Sequence, residues 1–265
     1  MNDSMVALVA TLHDPESRLA PLAEPFISGW VARFREVVIL TSPEGSGETG
    51  DLLTRHGARV VEDTQPQGVS QLGRVRLRAL QAAAQGYYPY YFLVDFDRLI
   101  HWERHYPDEL RRVEQAIPGY DFLTLGRTRR AFETHPAVQR YTERCANEGF
   151  AASFGDPLDI TAGARGLSIE AVRLLVQHSR CEGFGVDAEW PVLCRRWRLR
   201  LGYFAAEGLE FETADRFAPE IERLGYETWL DLHINTPRAW EERRRFAHEN
   251  ARAACEATER DLALP

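Results

Sequence analysis

The sequence predicts an α/β fold: a mostly parallel central sheet flanked by helices, with a helical C-terminal extension. Three observations predict it. Short runs rich in Val, Ile, Leu and aromatic residues alternate with segments of helical spacing. Turn residues separate them, as at Gly57 and Gly86. The resulting β-α-β-α-β-α-β order requires right-handed crossovers, which bring the strand C-termini to one edge, where ligands bind.

Each element follows from its residues. Val6–Leu12 is a continuous apolar strand. Leu19–Phe34 has helical spacing, although Pro21 and Pro25 leave its start open. Glu36–Thr41 is a second strand, Ser42 to Gly50 a turn, and Asp51–His56 a short helix closed by Gly57. Ala58–Glu62 is a third strand. Ser70–Gln85 is a helix with Ser70 as N-cap, and Tyr90–Asp95 is the fourth strand. Tyr106–Ile117 reads as a helix and Asp121–Leu125 as a strand. The second half is less regular. It offers a helix at Pro136–Glu148, a strand at Asp159–Gly166 and a helix at Ile169–His178 capped by Ser168. Asp187 opens a helix to Trp197. Leu199–Ala205 and Glu210–Thr213 suggest a hairpin-like return, and Phe217–Leu230 holds a short helix. Trp240–Leu262 is a long charged helix. Residues 1–235 are expected to form one domain, with 236–265 as a C-terminal surface helix.

Composition excludes several classes. The chain has 265 residues, 44% of them hydrophobic, enough for a sizeable core. A net charge of -8 argues against general nucleic-acid binding. No apolar run is long enough to span a membrane. The opening Met-Asn-Asp-Ser-Met lacks the basic flank of an export signal, and the four cysteines form no CxxC pair. Both features point to a cytoplasmic protein with reduced thiols.

The chemistry centres on Asp95-Phe96-Asp97. Two carboxylates at the end of an apolar strand need a cation or hydrogen-bond donors, and a divalent ion bridging phosphate oxygens serves such a pair well. The plainer alternative is a turn in which they cap backbone amides. Thr161 to Ser168 is rich in small residues that admit close backbone approach to a ligand. Asp187 and Glu189 offer a helix cap and a cleft-facing carboxylate that could deprotonate an acceptor hydroxyl. Arg74 and Arg78 share a helix face just after Gly68, a setting suited to a diphosphate or simply to solvent. His233 is a structural histidine or a third metal ligand. His13 and Glu16 follow the first strand, where a nucleotide base or ribose could sit.

Together, the first strand, Gly68 to Arg78, Asp95-Phe96-Asp97, Thr161–Gly166 and Asp187-Ala188-Glu189-Trp190 resemble the nucleotide-sugar glycosyltransferases of the GT-A fold, a Rossmann-like architecture. Their order is similar to that of family 2 enzymes, including polyprenyl-phosphate sugar transferases, and of mannosylglycerate synthase-like enzymes. The resemblance spans most of the chain. It implies a metal-dependent glycosyltransferase acting on a nucleotide-diphosphate sugar, with a small-molecule, lipid or glycan acceptor. Asp95 and Asp97 would bind Mn²⁺ or Mg²⁺, Asp97 directly and Asp95 through water or by contacting the ribose; His233 would be a further ligand. Thr11, His13, Glu16, Gly68, Arg74 and Arg78 would hold the nucleotide. Asp187 and Glu189 would lie near the acceptor, one of them the general base if the enzyme inverts.

The sequence also departs from that pattern. Thr11 to Glu16 lacks the polar motif usual at that point in family 2, and the acidic motif is Asp-Ala-Glu rather than Glu-Asp. Cys194-Arg195-Arg196-Trp197 does not match the motif of processive synthases, so processive polymerisation is not expected. Retaining or inverting stereochemistry stays open. Two other readings compete: a sugar-phosphate nucleotidylyltransferase, and a non-catalytic nucleotide-sugar-binding scaffold with Trp240–Leu262 at an interface, a homo-oligomer included.

Overall fold

A computed structural model describes residues 4–44, 47–65 and 68–261. Pro66 and Gln67, expected beside the nucleotide, and Leu262, the expected end of the last helix, lie outside them. In chain order the elements are β1 (Val6–Leu12), α1 (Ala20–Arg33), β2 (Val37–Thr41), α2 (Gly47–Arg55), β3 (Arg59–Glu62), α3 (Leu72–Ala84) and β4 (Tyr90–Asp95). Next come α4 (Phe96–His105), α5 (Pro107–Ala116), β5 (Phe122–Arg127), α6 (Arg129–Glu133), α7 (Ala137–Phe154), β6 (Ala164–Ser168) and α8 (Ile169–His178). The chain ends with α9 (Val186–Arg196), β7 (Leu201–Ala206), α10 (Ala218–Leu224), α11 (Tyr226–His233) and α12 (Pro237–Glu259).

The strands form one sheet in the order β3-β2-β1-β4-β6-β5-β7. Among the described strands only β6 runs against its neighbours, antiparallel to both β4 and β5. The expected mostly parallel sheet with flanking helices is what forms. Strand alternation sorts the core into two layers. Val6, Leu8, Ala10 and Leu12 of β1 face α1, α2, α4 and α5, while Ala7 and Val9 face α3, α8 and α9. Trp30 of α1 is fully buried in the first layer. Its indole N–H donates to Glu103 at 3.0 Å, so truncating it to Ala should cost roughly 3–5 kcal/mol. Phe211, Trp229 and Leu230 make a separate small cluster under the 3-10 turn Thr213–Phe217, α10 and α11.

Local chemistry explains where elements differ from expectation. Pro21 sits in the first turn of α1, where a missing N–H is harmless, and the helix continues through Pro25. Gly57 closes α2 with φ +93°. Ser168 caps α8 through a bond from the Ala171 amide at 3.2 Å, as its sequence suggests. Ser70 does not cap α3; it lies in a 3-10 turn ahead of it. Helix α4 has no counterpart in the sequence reading, yet Phe96, Leu99 and Ile100 are buried at helical spacing. Glu210–Thr213 is not a strand, because Glu210 and Glu212 turn to His101, Arg130 and Arg98 instead of a neighbouring strand. The last helix is not laid loosely on the surface: Ala254 and Ala257 of α12 are fully buried in the second core layer. Among the described residues no helix is long and apolar enough to cross a membrane.

Candidate functional site

The parallel pairing of β1 with β4 sets Thr11 beside Asp95 at the strand ends. A cleft of about 450 Å³ opens there, lined by Thr11, His13, Gly68, Arg76, Asp95, Asp97, Arg98, Glu143, Thr161, Glu212, Arg216 and Arg243. A larger hollow of about 600 Å³ lies between the 180–183 loop and α12, and none of the expected site residues lines it.

Every carboxylate lining the cleft is paired with arginine. Asp95 accepts from Arg76 at 2.9 Å and from the Thr11 hydroxyl at 3.1 Å. Asp97 accepts from Arg216 at 2.6 Å and from the Arg98 amide at 2.9 Å. Glu212 accepts from Arg98 at 2.9 Å, and the other Arg98 amino group donates to the Ala162 carbonyl. Glu143 bridges Arg127 at 2.7 Å and Arg243 at 2.8 Å. The chain contains no lysine; all 32 basic residues are arginine. Arginine keeps its charge on burial and presents a planar fork of donors, which is what this lattice requires.

Arg76 ties the cleft to the core. It sits among Val75, Ala79, Leu80 and Ala83 on the buried side of α3. A guanidinium there needs carboxylates. It finds Asp95 at 2.9 Å and Asp187 at 3.0 Å. Asp187 is shared with Arg165 at 2.7 Å. Gly163, with φ +74°, closes over this cluster; a Cβ there would come within 2.5 Å of Arg76 Nη2 and 3.1 Å of Asp95 Oδ2.

The electrostatics separate the carboxylates. Burial raises Asp95, but the charges of Arg76 and Arg98 outweigh it and hold the group below its ordinary value. Burial, then the negative charge of Glu212, pushes Asp97 up to about 6, with Arg216 pulling the other way. Glu212 stays low because Arg98 overcomes its burial. One buried Glu212 oxygen, Oε2, has no hydrogen-bond partner. An unsatisfied carboxylate oxygen close to a second, crowded carboxylate is a position that fits a small cation, and an all-oxygen donor set suits a hard one.

The expected residues divide between the cleft and other places. Thr11, His13, Gly68, Asp95 and Asp97 line the cleft, with His13 Nδ1 2.9 Å from the Ser42 hydroxyl. Glu16 instead pairs with Arg18 at 2.6 Å on the surface. Arg74 is exposed, 3.5 Å from Glu182, and Arg78 binds Asp63 at 2.5 Å. The arginine that reaches the site is Arg76, on the other face of the helix. Glu189 does not face the cleft: it is fully buried, accepting from Ser179, the Arg180 and Cys181 amides and Arg260. Asp187 neither caps α9 nor lines the cleft; its Oδ1 accepts from two arginines. His233 lies 3.4 Å from Glu220 and against Trp229 on α11, and does not gather with Asp95 and Asp97. Arg98, which follows Asp97 directly and supports a functional reading of the pair in the sequence, lines the cleft. Glu212 and Arg216 escaped that reading, because they reach the cleft only through the tertiary fold.

No family model and no curated protein matches the chain. Solved structures do. It is similar to glucosyl-3-phosphoglycerate synthase from Mycobacterium tuberculosis in complex with Mn²⁺, UDP and phosphoglyceric acid: 16% identity, 98% of this chain and 81% of that one, TM-score 0.58. With Mn²⁺, UDP and glucosyl-3-phosphoglycerate the same enzyme gives 17%, 98%, 82% and 0.60. A further crystal structure of it gives 16%, 98%, 83% and 0.57. Likeness at these identities speaks to architecture, and the chain has the GT-A, Rossmann-like fold that its sequence resembles.

Proposed function

We propose that this chain is a metal-dependent glycosyltransferase that moves a sugar from a nucleotide-diphosphate donor to an acceptor hydroxyl. The observation that carries the proposal is Asp95-Phe96-Asp97 at the C-terminal edge of the sheet, opening a cleft lined by Arg76, Arg98, Arg216 and Arg243. That edge is where open α/β sheets bind ligands, and guanidinium groups suit phosphate oxygens. The structurally similar synthase has been solved with Mn²⁺ and UDP, which supports the same ligand class here.

Asp97 and Glu212 would hold Mn²⁺ or Mg²⁺, Glu212 through its unpartnered Oε2. When bound, such an ion would supply positive charge that offsets the charge developing on the leaving diphosphate. The chain's own residues do the rest. Arg98 and Arg216 donate to phosphate oxygens from the same wall. Arg76 and Thr11 fix the Asp95 carboxylate from two sides, so that it can accept from a donor hydroxyl such as that of the ribose. His13 and Gly68 line the nucleotide side. Asp187 positions Arg76 and is not proposed as a base; Glu189 is a buried structural anchor. The wall formed by Gln139, Glu143 and Arg243 is left for the acceptor.

Calorimetry with UDP, GDP and ADP, each with and without Mn²⁺, tests the proposal. We expect Mn²⁺-dependent binding of a nucleoside diphosphate, weakened at least about tenfold in Asp97→Asn, which is about 1.4 kcal/mol. No binding by any of the three, or an Asp97→Asn variant with unchanged affinity, overturns it. Turnover of a sugar-nucleotide panel should release nucleoside diphosphate; pyrophosphate-dependent chemistry would favour a nucleotidylyltransferase instead.

A further inference from the structure

A second cluster of ligating side chains lies on α4 beyond the cleft. His101 and His105 are one helical turn apart, with ring centroids separated by 4.5 Å. Asp215, from the 3-10 turn Thr213–Phe217, meets His101 Nδ1 at 2.7 Å. One ligand atom from each of the three residues lies within 4.8 Å of the other two. On its far side, His101 Nε2 stands 3.1 Å from Glu210 Oε1. Glu210 also accepts from Arg130, at 2.6 Å, so it is ionised and acts as an acceptor.

These contacts set a problem at His101 Nδ1. With Nε2–H donated to Glu210, Nδ1 meets the Asp215 carboxylate only through a second ring proton or a metal ion. The 2.7 Å spacing is that of the protonated form, and a metal in the proton's place would draw the two ligand atoms further apart. A shared proton would satisfy His101 and Asp215, but it leaves no role for His105, whose imidazole is brought to the same side by the i, i+4 spacing. A metal ion uses all three. Two imidazole nitrogens and one carboxylate oxygen form a three-ligand set of the kind that suits Zn²⁺, with a fourth position open. Glu210 then serves as the outer carboxylate that fixes the tautomer of a ligating histidine.

We propose that His101, His105 and Asp215 bind one transition-metal ion of the Zn²⁺ class, at a site separate from the diphosphate cleft. The proposal does not depend on the function proposed above. The ion would cross-link α4 to the 3-10 turn. That turn carries Arg216, the partner of Asp97, and Thr213, which also lines the cleft, and Glu212 directly precedes it. The consequence is a cleft wall held in place by a metal about one helical turn behind it. His105 is exposed and offers an entry path, while His101 is buried.

The test uses the full chain, stripped with chelator and titrated with Zn²⁺ by calorimetry. Cys145 and Cys255, both exposed, are first changed to Ser so that thiols do not compete. One equivalent should bind with micromolar or tighter affinity. His105→Ala, at an exposed position that the fold does not need, should weaken binding at least about tenfold, and Asp215→Asn similarly. Asp97→Asn should leave Zn²⁺ affinity unchanged. Amide exchange across 213–217 should slow on adding Zn²⁺ in the parent and not in His105→Ala. Absence of Zn²⁺ binding, or equal affinity in parent and His105→Ala, overturns the proposal and leaves a proton bridge between His101 and Asp215. Loss of binding only in Asp97→Asn would move the ion to the cleft and overturn it equally.

Discussion

Asp95 and Asp97 at the end of β4 and Asp187 and Glu189 at the start of α9 share one spacing, and both pairs flank the first turn of a helix. In sequence they look interchangeable. The fold treats them differently because of what lies beneath. β4 ends at the sheet edge, so its pair meets a cleft and retains partial exposure: 26% of the Asp95 side chain and 22% of Asp97. α9 packs into the second core layer, so its pair is sealed in, at 4% for Asp187 and none for Glu189. The outer pair lines the cleft. The inner pair holds the scaffold: Asp187 anchors Arg76, and Glu189 pins the loop at Ser179 to Cys181. Equal spacing therefore does not give equal function; the depth of the supporting element decides it.

Mutating one member of each pair should break this symmetry most clearly. Asp187→Ala leaves Arg76 and Arg165 buried without their shared carboxylate, and losing one partner of a buried ion pair costs about 3–5 kcal/mol. Urea denaturation should show that loss as a lower midpoint. Asp97→Asn disrupts a partly solvated pair, worth up to about 1 kcal/mol, so its midpoint should hardly move. Equal destabilisation by the two variants would contradict the division into a ligand-facing and a structural pair.

A further acidic residue sharpens the comparison through pH. Asp159 accepts from Arg127 at 2.8 and 2.9 Å and from Asn147 at 2.9 Å. Burial raises its pKa, but Arg127 more than offsets this and holds the carboxyl well below the ordinary range. A depressed folded-state pKa contributes stability above the unfolded value, near 3.9, that is lost as pH falls. Asp159→Asn should cost on the order of 2 kcal/mol at neutral pH. The gap to the parent should narrow by about 1 kcal/mol between pH 7 and pH 3. Denaturation midpoints at the two pH values check it, and a constant gap would mean that the Asp159 carboxyl titrates alike in the folded and unfolded chain.

The parallel sheet was legible because its signal is local: Val6–Leu12, Val37–Thr41 and Tyr90–Asp95 are apolar runs that no other element would bury. The candidate site was legible where it lies at the ends of β1 and β4 and in the segments that follow or precede them, at Thr11, His13, Gly68, Asp95 and Asp97. Its other half depends on long-range pairing. Glu212 and Arg216 come from a segment whose Glu210–Thr213 portion reads as strand, and their roles appear only once that segment folds against α4. His233 misled because imidazole chemistry is plausible in any apolar neighbourhood, whereas its place on α11 is set by the Phe211–Trp229 cluster. The position of Arg76 carried a readable signal: a charged residue in line with Ala79, Leu80 and Ala83 must be answered by a carboxylate.

The smallest expected effect tests that last point. Arg74, Arg76 and Arg78 alternate along α3, and side-chain spacing alone favours the Arg74–Arg78 face for a diphosphate. In the folded chain Arg74 is about half exposed and pairs loosely with an equally exposed Glu182 at 3.5 Å. Such a pair contributes little, so Arg74→Ala should change stability by less than about 0.5 kcal/mol. Being outside the cleft lining, it should also leave nucleotide affinity within about twofold, whereas Arg76→Ala should release Asp95 and weaken binding at least about tenfold. Side-by-side calorimetry of the two variants with Mn²⁺ and nucleoside diphosphate decides between the faces. If Arg74→Ala is the more damaging, the exposed face holds the donor, and the buried Arg76–Asp187–Arg165 chain supports the fold without reaching the ligand.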